Sequence, residues 1–168
     1  KIFYLNNKQI SILIHPSSFV HAIVFFKGDI IKLLAHETNM FIPISNALGI
    51  KRHNNKINKI NIFKEKLNNM KFVLPNKKQF PLLSIINLIP KKNSYFETIL
   101  ITINDYLVNK YLNREINYIS IEKNILMLIK RPFFKKFYKL KPKNIYDIKN
   151  IIMITKKYIS NNLKHYDK

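Results

Sequence analysis

The 168-residue chain has no cysteine, no tryptophan, two glycines and three alanines, and only nine acidic residues stand against thirty basic ones. Without cysteine there can be no disulfide framework, no thiolate nucleophile and no Cys-ligated zinc or iron–sulfur centre. The two glycines, Gly28 and Gly49, lie far apart, which excludes a Gly-rich turn cradling a dinucleotide pyrophosphate. Unbroken apolar runs extend for only a few residues, far below the ~18–20 that a bilayer-spanning helix needs. An apolar fraction of 47% is still ample for a packed core, and the length suits one domain or somewhat more.

The net charge of +21 invites a nucleic-acid reading. The composition offers a simpler one. Lysine outnumbers arginine 27 to 3, with 30 isoleucines and 22 asparagines. Lys, Asn and Ile have AT-rich codons, whereas selection for phosphate binding favours the bidentate fork of arginine. A coding bias in an AT-rich genome accounts for all these skews together. The best case for nucleic acid is Lys130 to Lys143, where Lys130, Arg131, Lys135, Lys136, Lys139, Lys141 and Lys143 interleave with Phe133, Phe134, Phe137 and Tyr138. Basic residues and stacking rings suit single strands. The alternative favoured here is a solvated loop whose rings pack on neighbouring helices.

Ile12 to His21, Ile-Leu-Ile-His-Pro-Ser-Ser-Phe-Val-His, is the most informative stretch. Ile12, Leu13 and Ile14 suit a buried strand ended by Pro16, which cannot donate to a ladder. Phe19–Phe26 reads as a second strand, and Lys27-Gly28-Asp29 turns it into a third, Ile30–Leu34. His15, Ser18 and His21 would then stand at the edge of a rigid hairpin, facing a ligand. Adjacent His36 and Glu37 have no third ligand at metal spacing, so no metal site is expected.

Ser45 to Leu48 suits a short helix closing the β-rich part near Gly49. Residues 50–71 read as a polar linker, and Phe72–Pro81 as extended. From Leu82 the pattern turns helical: Leu82–Ile89, then Glu97–Leu112 with Leu100, Ile103, Leu107 and Tyr111 on one face. A third helix would be capped at Ser120 with Glu122 in its first turn, and a fourth capped by Asn144. The expectation is an α+β fold: an antiparallel β-hairpin or short sheet with one helix, a linker, and a C-terminal four-helix bundle. Domain bounds are set at 1–49, 50–80 and 81–168.

His15-Pro16-Ser17-Ser18-Phe19-Val20-His21 resembles the His-Pro-x-Ser-x-x-His segment of the 1-deoxy-D-xylulose 5-phosphate reductoisomerase family. The likeness continues in order. Asn39-Met40-Phe41-Ile42-Pro43-Ile44 stands where that family has Asp-Met-x-x-Pro-Ile. Phe72 to Pro81 follows its Phe-x-x-Pro-Asp-x-x-x-Phe-Pro. Ile101-Thr102-Ile103-Asn104-Asp105 keeps only the end of its Asn-Ala-Ala-Asn-Glu helix. The match is strong from Ile12 to Pro81 and loose beyond Lys141. Thr38 and Asn39 replace a Pro-Asp pair, which weakens the case for a rigid loop there.

The resemblance implies an enzyme that isomerises 1-deoxy-D-xylulose 5-phosphate at Mn²⁺ or Mg²⁺ and reduces the product with NADPH to 2-C-methyl-D-erythritol 4-phosphate, in non-mevalonate isoprenoid synthesis. It implies His21 as catalytic and substrate-binding, Ser18 as substrate-binding and Met40 beside the nicotinamide. The family's Asp-Ser-Glu and Asn-Lys-x-x-Glu metal motifs are absent, as is its dinucleotide fingerprint. The chain is therefore expected to be a C-terminal part of the enzyme, inactive alone and holding neither cofactor. The whole enzyme is expected to be homodimeric, and to reside in bacterial cytoplasm or in a plastid stroma or apicoplast. The rival class is a basic, ribosome-associated RNA-binding protein without catalysis, and a decaying or split gene product is a third reading. A surface using the seven basic residues of Lys130–Lys143 on phosphates would lose RNA affinity with a log–log salt slope of about −5 to −6. The compositional reading expects no retention on immobilised RNA or DNA even at ~50 mM salt; retention with that slope would overturn it.

Overall fold

A computed structural model describes residues 3–50, 59–68 and 70–163. The chain divides into two compact units, Ile12–Pro75 and a second made of Lys1–Ser11 with Asn76–Lys168. The expected α+β class is observed: an antiparallel strand pair with a short helix, followed by a helical region.

In the first unit, β1 (Val20–Phe25) pairs antiparallel with β2 (Ile31–Ala35). The three-residue connection closes on a hydrogen bond from Phe26 N–H to the Ile30 carbonyl at 2.9 Å. Gly28 has φ +80° and Asp29 has φ +60°. Glycine enters that left-handed region freely, and Asp tolerates it better than most residues because its short side chain can bond locally. Pairing runs Phe25 to Ile31 through Ala22 to Leu34, then shifts, so that Val20 faces Ala35 and His21 is the extra residue of a bulge. Much of the hairpin's apolar surface is open: Phe25 is 75% exposed and Ile31 and Leu34 are exposed with it.

The expected strand at Ile12–Ile14 does not join this sheet. Ile14 instead makes an isolated antiparallel pair with Val73, with reciprocal bonds of 2.8 and 2.9 Å. Ile12 and Leu13 are exposed rather than buried. The segment is too short before Pro16 to form a ladder of its own.

Helix α1 (Phe41–Ala47) begins where Asn39 Oδ1 accepts from Phe41 N–H at 2.9 Å. Pro43 lies in its first turn, where a missing N–H costs no helical bond. The helix ends in a Schellman closure: Ile50 N–H donates to the Ser45 carbonyl and Gly49 N–H to that of Asn46, with Gly49 at φ +67°. Within the expected linker, Lys59–Asn68 is helical (α2). The rest of its polar run, residues 51–58 and residue 69, lies outside the described residues.

The second unit carries α3 (Phe96–Leu112), α4 (Tyr118–Leu128), the short α5 (Pro132–Lys135) and α6 (Ile145–Asn162). The stretch expected as its first helix winds as a 3₁₀ helix, Pro81–Leu88. Two prolines bracket it, at Pro81 and Pro90, and that leaves little length for an α-helix to propagate. Phe96, Ile99, Ile103 and Leu107 of α3 form the buried stripe against Ile125 and Leu128, Phe134, and Ile151 and Ile159 of the other helices. Fully burying a side chain of this kind contributes ~1.5–3 kcal/mol. Asn144 caps α6 as expected, its Oδ1 accepting from Asp147 N–H at 3.0 Å while Asp147 Oδ2 accepts from Lys143 N–H. The cap of α4 is Asn117, not Ser120. Ser120 lies inside the first turn and donates both its N–H and its hydroxyl to Asn117 Oδ1.

The aromatic residues of Lys130–Lys143 turn inward. Phe134 is fully buried, Phe133 stacks on Tyr158 with centroids 4.1 Å apart, and Tyr138 meets Phe96 edge-on at 4.7 Å. The Tyr138 hydroxyl donates to the Ile129 carbonyl, and burial pushes this phenol well above its ordinary range. A raised phenol leaves stability intact below pH ~10; stability falls above it, as the unfolded chain ionises first. Tyr138→Phe should cost ~1–2 kcal/mol by orphaning the carbonyl. It should also flatten the loss of stability above pH ~10, read by denaturant melts across pH 7–11.

Candidate functional site

The loop before β1 is built around one imidazole. Nδ1 of His15 accepts from the backbone N–H of Phe19 at 3.1 Å and of Val20 at 3.3 Å, and lies 3.2 Å from Ser17 Oγ. A ring nitrogen that accepts from amides carries no hydrogen, which places the His15 proton on Nε2. The ring leans on Phe72 at 5.1 Å. Ser18 N–H donates to the His15 carbonyl at 2.8 Å, and Ser18 itself sits at φ +52°. That backbone costs a non-glycine residue roughly 1–2 kcal/mol. Two amide bonds of ~1 kcal/mol each are enough to offset it. His15 thus holds the loop, and Ser18 remains exposed.

His21 is exposed on the hairpin, in the bulge. Its ring stacks on His36, with centroids 3.8 Å apart and planes inclined by 16°. Nε2 of His21 donates to the His36 carbonyl at 3.2 Å. His36 in turn donates from Nδ1 to the Glu37 carbonyl at 2.6 Å. The Glu37 carboxylate is gripped by Lys66 of α2 at 2.7 and 2.8 Å, and the same ammonium lies 5.1 Å from the centre of the buried Phe19 ring. Met40 immediately precedes α1 and is 67% exposed.

Of the residues singled out from the sequence, His15 and Ser18 share the loop, His21 stands on the strand that follows it, and Met40 lies beyond β2. No hydrogen bond among the described residues joins Ser18, His21 and Met40 directly. What the sequence reading missed was the contact of His21 with His36, which it weighed only beside Glu37. A hairpin reversing at Gly28 pairs residues near 20 with residues near 35, so that signal was present in the strand register. The bulge that slides His21 against His36 has no sequence mark.

Among the described residues, no three His, Asp or Glu side chains come together in a way that holds a metal ion, and no helix is long and apolar enough to cross a membrane. Asn104 and Asp105 are exposed on α3, where Asp105 joins Asn109, Lys110, Glu115, Ile152 and Lys156 along an open groove between α3 and α6. Hydrogen bonds from Lys110 and Asn113 hold the Glu115 carboxyl below its ordinary value, so that carboxylate is already partnered within the groove.

The model of the DXP reductoisomerase C-terminal domain matches residues 36–158, a span that includes Met40 but begins after Ser18 and His21. The 1-deoxy-D-xylulose 5-phosphate reductoisomerase of Pelagibacter ubique (strain HTCC1062) is 41% identical over 151 residues, covering 90% of this chain and 39% of the relative. That of Clostridium tetani is 30% identical over 160 residues, 94% of this chain and 40% of the relative. Among solved structures, the Zymomonas mobilis reductoisomerase in complex with NADPH aligns over 97% of this chain and 42% of its own, with a TM-score of 0.74. A DOX-P reductoisomerase in complex with NADPH, fosmidomycin and magnesium aligns with a TM-score of 0.79. Both are 20% identical and bear on the fold alone. The chain spans about two-fifths of the length of these relatives. A family model covering most of the helical unit, and a relative sharing four residues in ten, agree with the motif order of the sequence: the chain belongs to the 1-deoxy-D-xylulose 5-phosphate reductoisomerase family.

Proposed function

We propose that this chain supplies one wall of the active site, and the helical brace behind it, in an enzyme that converts 1-deoxy-D-xylulose 5-phosphate to 2-C-methyl-D-erythritol 4-phosphate on the non-mevalonate route to isoprenoids. The observation that carries the reading is the 41% identity to a reductoisomerase over 151 residues. The exposed His21 on a bulged hairpin supports it, because bulges commonly re-aim a side chain beside an active site. On this reading residues 1–49 complete the catalytic domain, 50–80 connect, and 81–168 form the helical domain. The complete enzyme works as a homodimer in bacterial cytoplasm or a plastid-type compartment.

The divalent metal, Mg²⁺ or Mn²⁺, does not fit the residues described here, which offer no cluster of ligands. No step is assigned to it within this chain. NADPH likewise has no phosphate cradle in a sequence with two separated glycines. The chain's own contribution is positioning. His21 meets a polar group of the substrate, Ser18 presents a hydroxyl from a loop held by His15, and Met40 offers an apolar, polarisable surface to the nicotinamide ring.

Two measurements test this. The 168-residue chain alone, with substrate and Mn²⁺ or Mg²⁺, should oxidise no NADPH; measurable turnover would show that the chain carries its own cofactor sites. In the complete enzyme, His21→Gln should raise the apparent KM, a loss of roughly 1–3 kcal/mol if a substrate group is left without its hydrogen-bond partner. Folding should change by less than ~1 kcal/mol, since the residue is exposed. Unchanged kinetics with an unchanged fold would make His21 a bystander.

A further inference from the structure

An exposed histidine on a strand ordinarily samples several rotamers, and its ring torsion is broad. His21 is held instead at three points. It occupies the bulge, its Nε2 lies 3.2 Å from the His36 carbonyl, and its ring lies 3.8 Å from the His36 ring at 16°. A carbonyl only accepts, so the hydrogen of the uncharged His21 ring sits on Nε2 and the lone pair on Nδ1. Nδ1 has no hydrogen-bond partner among the described residues.

His36 is itself fixed, and within the same unit. Its backbone N–H donates to the Phe19 carbonyl at 3.0 Å and its Nδ1 to the Glu37 carbonyl at 2.6 Å. The Glu37 carboxylate is tied to Lys66 on α2. A continuous set of contacts therefore runs from α2 through Glu37 and His36 to the His21 ring. Such support removes, before a ligand arrives, the rotamer freedom that binding would otherwise have to freeze.

We propose that His36 is a positioning residue for His21: its ring and carbonyl hold the His21 imidazole in one plane and one tautomer, so that Nδ1 is the atom offered to the ligand. A lone pair in that position matches a hydrogen donor, so the ligand group it takes is a hydroxyl rather than a phosphate oxygen. A phosphate would require a second proton on the ring. The inference rests on the reading of His21 as the substrate-facing histidine, and the test separates the two.

In the ¹⁵N-labelled chain, the carbon-bound ring protons of His21 should show an upfield ring-current shift, and long-range ¹H–¹⁵N correlations should show Nε2 protonated and Nδ1 bare. His36→Phe keeps a ring and the carbonyl, and should preserve both signatures. His36→Leu keeps bulk without a ring, and should abolish the upfield shift while hairpin amide signals stay in place. In the complete enzyme His36→Leu should raise KM about tenfold with kcat nearly unchanged, and His36→Phe should restore it. Identical His21 ring signals in the wild type and the Leu variant would overturn the positioning role. If those signals change as expected but His21→Gln leaves KM untouched, the positioning stands and the substrate contact falls.

Discussion

The left-handed backbone at Gly28 and Asp29 reverses the chain within three residues, and the pairing register that this reversal sets decides which side chains meet at the far end of the hairpin. Because side chains alternate across a strand, a slip of one residue would send His21 to the opposite face. The bulge at Val20–His21 performs such a local shift, leaving the inner pairs from Ala22 to Phe25 undisturbed. A turn at one end and an extra residue at the other thus place two imidazoles face to face. The His15 loop and the Glu37–Lys66 pair then hold the flanks.

The helical unit answers a different constraint. Pro132 starts α5 at the position where proline is tolerated, and the turn that follows delivers Phe133, Phe134, Phe137 and Tyr138 to the core side. The lysines between them are left on the outside, and Lys136 lies over the Phe133 and Phe137 rings at 4.7 and 5.0 Å. Rings packed this way no longer offer open faces on which bases could stack. What resembles a strand-binding pattern in one dimension is, in three, an amphipathic corner of the core.

Long periodic elements were legible because their spacing is redundant. The spacing of Leu100, Ile103, Leu107 and Tyr111 declared α3, although the buried stripe runs through Phe96, Ile99, Ile103 and Leu107 and leaves Tyr111 exposed; Asn144 stands at the start of α6 with Asp147 three residues on. The hairpin was legible because Lys27-Gly28-Asp29 is flanked by apolar strands on both sides. Ile12–Ile14 misled because three apolar residues suit any extended segment, and only a partner segment makes one a strand; that partner, Val73, lies far along the chain. Ser120 misled because Asn117 offers equivalent cap chemistry three residues earlier. Around the candidate site, the hairpin that carries His21 could be read from spacing, whereas the stacking of His21 on His36 could not. Contacts between side chains on two strands depend on register to a single residue, and one bulge changes it.

Phe25, Ile31 and Leu34 leave the small sheet with open apolar surface and two strand edges whose backbone groups face no further strand within it. A ribbon of that kind is a template on which another extended segment can add, whether native or not. The excess of lysine works against this, since a strongly positive polypeptide repels its own copies. The excess of lysine thus acquires a colloidal role. It opposes association through an adhesive ribbon, and raising the salt, which shortens the reach of that repulsion, weakens the opposition.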